Sequence, residues 1–344
     1  MTDTLTLVRP DDWHLHLRDG ERLAAVVGHS ARQFARAIVM PNLTPPVTTV
    51  AAAQRYRERI LDALPGDNDF GPLMTLYLTD ETSAQEIDRA AASDHVYACK
   101  LYPAGATTNS DAGVTDIRRC DDALARMAEH GMPLLVHGEV TDDVVDIFER
   151  EAQFIDRVLA PLCERVPALR VVFEHVTTKA AVQFVESLPG RLAATITPQH
   201  LLLTRNDLLA GGLRPHHYCL PVLKTFEDRD ALITAATSGS AQFFLGTDSA
   251  PHARHEKESD CGCAGTYSAH AAIELYAEAF DRAGALDKLE GFASLHGPGF
   301  YRLPVNRDTI TLTRQNWTVP ASFPFAGNEL VPLGAGTDLA WKMV

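Results

Sequence analysis

Long apolar runs are missing from this 344-residue chain, and none approaches the roughly 18 uninterrupted apolar residues that a membrane span needs. The opening stretch MTDTLTLVRPDDW has no basic segment followed by an apolar one, which excludes a secretory leader of the usual form and leads us to expect a cytoplasmic protein. Cysteine is sparse: Cys99, Cys120, Cys163, Cys219, Cys261 and Cys263 are scattered through a long chain, which is not a disulfide framework. Basic residues are outnumbered, 31 Lys and Arg against 45 Asp and Glu, giving a formal net charge of −14. That balance disfavours nucleic acid and anionic membrane as partners, since both require a basic surface. A small anionic substrate remains compatible, because local cations inside a cleft can meet its charge.

What is present is the composition of a globular protein, 46% hydrophobic and 22% charged, with no low-complexity block, repeat or polar linker. A single domain is the simpler expectation. Short apolar runs that read as strands occur at about 12–16, 36–41, 72–78, 95–102, 133–137, 170–175, 192–197 and 242–247. Between them, segments 82–93, 114–130, 143–163 and 177–188 carry helical spacing. Eight alternating units predict an α/β fold, a (β/α)8 barrel over about residues 5–300. Another helix is expected at 268–285. The tail, rich in Pro, Gly and Thr, is read as an extension over about 301–344, either packed on the barrel or mobile.

The first strand ends in Trp13-His14-Leu15-His16-Leu17-Arg18, and residues two apart on a strand share a face, so His14 and His16 can grip one metal. An isolated H-x-H reads more readily as two ordinary histidines. Here, however, His137 closes the run 133–136, His175 closes 171–174 and Asp248 follows 243–247. Barrel active sites lie where the strands end, so five metal-capable side chains from four strands converge there. Imidazoles with a carboxylate and an open position suit catalytic Zn²⁺, with cobalt or manganese as alternatives. Lys100 ends the fourth run, and an ammonium facing two cations would be repelled. Reaction of the neutral amine with CO2 would turn it into a carbamate whose two oxygens bridge two metals.

The strings His14-Leu15-His16-Leu17-Arg18, Met40-Pro41-Asn42, Lys100 to Asn109, His137-Gly138-Glu139 and Gly246 to His252 resemble the dihydroorotase family, in its compact, single-function bacterial class within the amidohydrolase superfamily. The resemblance implies that His14, His16 and Asp248 hold one zinc, that His137 and His175 hold the other, and that N6-carboxylated Lys100 and a hydroxide bridge them. It implies Asp248 as general acid/base, reversible cyclisation of N-carbamoyl-L-aspartate to L-dihydroorotate in pyrimidine biosynthesis, and a homodimer. Arg18 and Asn42 lie just past strand ends, and a guanidinium can hold a carboxylate through two hydrogen bonds; the resemblance adds His252 to that clamp. The small, polar segment 105–110 reads as a mobile lid, which by resemblance closes over substrate with Thr107 and Thr108 donating hydrogen bonds. Cys261-Gly262-Cys263 lacks a second ligand pair and reads as structural. By resemblance that stretch borders the pocket, where backbone groups of Ala264 and Leu220 hydrogen-bond the ring. His296 and Tyr267 stand where relatives often have Asn and Phe. Two other readings are open on the residues alone: another cyclic-amide hydrolase, such as a hydantoinase or allantoinase, and a non-catalytic barrel kept for assembly.

Overall fold

The computed structural model describes residues 3–66 and 68–344. In chain order its strands are β1 (Thr4–Val8), β2 (Asp11–Leu15), β3 (Arg36–Val39), β4 (Gly71–Tyr77), β5 (Val96–Leu101), β6 (Leu134–Val136), β7 (Val171–Phe173), β8 (Leu192–Ile196), β9 (Phe243–Leu245), β10 (Thr309–Thr318), β11 (Phe323–Phe325), β12 (Asn328–Leu330) and β13 (Asp338–Met343). Strands β2 to β9 form one parallel sheet in sequential order, each followed by helical chain, and this is the predicted (β/α)8 barrel. All eight strands fall inside the eight apolar runs or within a residue of them.

The helices start later than their spacing predicts. Segment 114–130 becomes a 3-10 turn at Ile117–Cys120 running into a helix at Asp121–His130. Segment 143–163 is irregular until Arg150, then helical to Arg165 with a wide turn at Ile155–Leu159. Segments 82–93 and 177–188 begin where Ser83 and Thr178 cap the amides of Glu86 and Ala181. The expected helix at 268–285 spans Ala272–Arg282. The tail is ordered: β10 pairs with both β1 and β13 in a three-stranded antiparallel sheet, and β11 and β12 form a hairpin. Thr4–Val8 therefore belongs to this outer sheet and not to the barrel.

The barrel interior is filled in layers. Trp13, Ile38, Leu73, Ala98, Leu135, Val172, Ala193 and Phe244, one from each strand, form a cluster that Tyr301 helps seal, its ring stacked on Trp13 at 4.4 Å between centroids. Because side chains on a strand repeat with period two, the next inward layer toward the strand ends is Thr75, Lys100, His137, Glu174, Thr195 and Gly246. The apolar layer is thus the floor on which a polar layer stands.

The barrel closes at a seam between β9 and β2 that is not a regular ladder. The bonds across it are Asp248 N to His14 O at 2.9 Å and His16 N to Ser249 O at 3.2 Å. The rest of the closure comes from a buried side chain. Asp12 accepts from Thr247 N at 2.9 Å, from Thr247 Oγ1 at 2.6 Å and from His14 N at 3.1 Å.

Candidate functional site

Inward-facing register delivers Lys100 and His137 to the mouth of the barrel directly. His175 and Asp248 arrive by another route. Each sits one or more residues past its strand in the left-handed region, with φ of 42° and 45°. A residue with a β-carbon is held there only when its surroundings demand it, at a cost on the order of 1 kcal/mol or more. At His175 the turn swings the side chain inward, where a continued strand, with Val172 and Glu174 inward, would point it away; Asp248 keeps the inward parity of Phe244 and Gly246. Arg18 and Asn109 are also left-handed, at 62° and 55°.

The donors converge tightly. His14 Nε2 and His16 Nε2 lie 3.2 Å apart, and both approach Asp248 Oδ1, at 3.3 and 3.1 Å. His14, Glu174 and His175 form a second group of three buried donors. The Lys100 ammonium is fully buried against Glu174 Oε2, and Glu174 Oε1 lies 3.1 Å from His14 Nδ1. The His137 ring packs 4.9 Å from His175, while its Nε2 is 2.9 Å from Glu139 Oε2, so it joins neither group of three.

Electrostatics show what this cluster lacks. Burial opposes a proton on His14, yet Glu174 and Asp248 carry its pKa up to about 9. Burial holds His16 down to about 4 and His175 well below the usual value, leaving both imidazoles neutral, the form that ligates metal. Burial also pushes Asp248 up, but His14 and His16 outweigh it and keep the carboxylate ionised. Burial lowers the Lys100 pKa against the pull of Glu174. His175 Nδ1 is buried without a partner. Converging neutral imidazoles, an ionised carboxylate and an orphaned ring nitrogen fit a divalent cation of the zinc type.

Around the donors, Arg18, Asn42, Tyr102, Thr107, Thr108, Leu220, Ala250, Ala264 and Gly265 complete the pocket wall. Arg18 Nη2 is 2.8 Å from His252 Nε2 and its Nε donates to Pro251 O at 3.0 Å, so clamp and histidine are in contact. Arg22 pairs with Glu256, and among the described residues Arg18 faces the cavity with no carboxylate paired to it. Asn42 is bonded to His16 Nδ1 at 2.9 Å and to Thr108 O at 3.1 Å. The 105–110 segment lies over the pocket, tied by Thr108 Oγ1 to Ala264 O at 3.3 Å and by Asn109 Nδ2 to Asn42 O at 3.0 Å. Gly265 is the one residue type its position allows: φ is 150°, and a β-carbon would fall 2.8 Å from Ala250 O.

The two positions that depart from the family pattern are accommodated locally. His296 Nδ1 bonds Phe243 O at 3.0 Å and the Tyr267 hydroxyl meets His29 Nδ1 at 2.5 Å, both away from the donors. All six cysteines are unpaired.

Residue-by-residue reading missed Glu174, Asp12 and Glu139. The signal for Glu174 was available: it stands two positions past Val172, as Lys100 stands past Ala98 and His137 past Leu135, in strands with no solvent face to accept a charge. Asp12 carries no such signal, because its role is at the seam.

With this geometry in place, similarity to known proteins is decisive. The amidohydrolase family model matches residues 5–307. The dihydroorotase of Laribacter hongkongensis is 67% identical over 341 residues, covering 99% of both chains. The chain belongs to the dihydroorotase branch of the amidohydrolase family. Two solved structures agree: the Campylobacter jejuni dihydroorotase, at TM-score 0.91 and 36% identity over 100% of this chain and 98% of that one, and the Saccharomyces cerevisiae dihydroorotase in complex with 5-fluoroorotic acid, at 0.91 and 31% over 100% and 99%. Members of this branch act as hydrolases on small molecules. Among the described residues of this family member, no helix is long and apolar enough to cross a membrane.

Proposed function

We propose that the chain is a zinc-dependent dihydroorotase, catalysing the reversible cyclisation of N-carbamoyl-L-aspartate to L-dihydroorotate with loss of water, the third step of de novo pyrimidine synthesis. The observation that carries this reading is the meeting of His14, His16 and Asp248 at 3.1 to 3.3 Å beneath a pocket whose unpaired guanidinium is Arg18. His14, His16 and Asp248 would hold one zinc ion, His137 and His175 the other, with Lys100 carboxylated on Nζ between them. Bound there, the ions would supply Lewis acidity, lowering the pKa of water toward roughly 7 and drawing charge from the ring carbonyl.

The chain's own residues do the rest. In hydrolysis, water oxygen bonds to the ring carbonyl carbon and the bond to the adjacent nitrogen breaks. Asp248 accepts the proton of the attacking water and returns it to the leaving nitrogen, and ring closure reverses each transfer. Arg18, Asn42 and His252 orient the substrate carboxylate. Leu220 and Ala264 meet the ring with backbone groups, and Thr107 and Thr108 cover it and exclude water. Glu139 orients His137, and Asp12 keeps His14 and Asp248 in step across the seam.

The test is loss of dihydroorotate absorbance in protein of known metal content, before and after chelation, with hydantoin as the comparison. Zinc-dependent turnover of dihydroorotate far above hydantoin is expected; a preference for hydantoin would refute the assignment. Arg18→Ala should raise KM about 10- to 100-fold with a smaller change in kcat, since a charged hydrogen bond contributes about 1.5–3 kcal/mol. Steady-state kinetics with unchanged metal content would show this split.

A further inference from the structure

One buried cation near the pocket has no place in the account above. Lys257, at the end of the short helix Arg254–Lys257, is 4% exposed. The groups that act on its charge are Cys219, Cys263 and Arg18, none of them a carboxylate, and burial pulls its pKa down to about 8. Its ammonium donates instead to two carbonyls, Tyr218 O and Gly265 O, each at 2.7 Å.

Those carbonyls belong to the two segments that form one wall of the pocket. Tyr218 lies two residues before Leu220, and Gly265 directly follows Ala264. The segments also meet through Gly265 N, which donates to the same Tyr218 O at 3.0 Å, and Ala264 O receives the lid through Thr108. Burying an ammonium without an ion pair is costly, and a carbonyl left unpaired in its place would cost about 1–3 kcal/mol. One ammonium, with three N–H donors, answers both carbonyls at once.

The geometry points to Lys257 as a positioning residue that fixes the spacing of Leu220 and Ala264 by tying the carbonyls of Tyr218 and Gly265 to one ammonium group. It acts on the ring-binding wall through the backbone and is hydrogen-bonded neither to the metal donors nor to Arg18 and His252, which feel its charge only at a distance. The kinetic part of this inference rests on the dihydroorotase reading; the structural part does not.

Lys257→Met removes both donors and keeps the apolar stem. In ligand-free protein, amide hydrogen exchange in segments 218–223 and 262–267 should quicken by about tenfold or more, the equivalent of one lost hydrogen bond. Metal content should be unchanged. KM for dihydroorotate should rise about tenfold with kcat within about threefold, and the inhibition constant of dihydrouracil, the ring without its carboxylate, should rise by the same factor. Exchange or KM equal to wild type overturns the proposal. So does a loss confined to dihydroorotate, which would assign Lys257 to the carboxylate by charge. If Lys257→Met does not fold, Lys257→Gln keeps an uncharged NH2 donor on a shorter stem and should show a smaller shift of the same kind in all three measurements, with no shift as the overturning result. Absence of dihydroorotate turnover in the wild type would refute the proposed function, while the exchange measurement still decides the tie.

Discussion

Replacing Lys100 with alanine should abolish measurable turnover and strip the protein of most bound divalent metal. Lys100 is fully buried in the inward polar layer, its Nζ directed at Glu174 and, beyond it, His14. Desolvation weakens the hold on its proton, which favours the neutral amine that can add CO2. The carbamate so formed exchanges a buried positive charge for a negative one among donors that already call for cations. Alanine offers no oxygen and leaves a cavity, and in the metal-free protein, where the ammonium pairs with Glu174, it leaves that buried carboxylate without a cationic partner at a cost of about 3–5 kcal/mol. The variant should therefore melt at lower temperature as well. Two measurements separate the roles: metal analysis of the folded fraction, and the 13C signal of labelled CO2 on the wild type, which the variant should lack. Unchanged metal content in folded variant would refute the bridging role.

Asp248→Asn should lower kcat by about 10²- to 10⁴-fold, the usual worth of a positioned proton-transfer group. The amide keeps the size and one oxygen toward His14 and His16 but accepts no proton. Metal affinity should fall much less than for Lys100→Ala, and KM should change little, because Arg18 and His252, which are in contact with each other, would hold the substrate carboxylate independently of Asp248. A loss below tenfold in kcat would move the proton transfer to another group. The left-handed backbone at this position makes asparagine the gentlest replacement, since it tolerates that conformation better than most residues.

The barrel was legible because its eight strands are buried on both faces and read as short apolar runs separated by helical spacing. Five of the proposed ligands were legible as polar residues ending those runs, and Lys100 for the same reason. Strand ends say where a residue lies, but they do not say where it points. His137 and Lys100 face inward by strand register and Asp248 shares the parity of Phe244 and Gly246, whereas His175 faces inward through a reversal of φ that no local pattern announces. Glu174 occupies the inward register of β7, the place simple alternation assigns, and was passed over for the histidine beside it. Asp12 was illegible for a different reason: its partners are 235 residues away at Thr247, across a seam that exists only once the sheet has closed. The helix starts at 117 and 150 were masked by polar, turn-forming stretches ahead of them, and the tail by its dependence on β1, the far end of the chain.

That seam also bears on how the fold holds together. His14 stands on the first barrel strand, His16 just past its end, and Asp248 follows the last, so an ion held by all three is a crosslink closing a loop of well over 200 residues. In the simple chain-entropy treatment used for disulfides, such a closure removes about 5 kcal/mol of freedom from the unfolded chain. Loading the site and locking the cylinder shut would then be one event, and the apo protein should be easiest to open along the line where its substrate is bound.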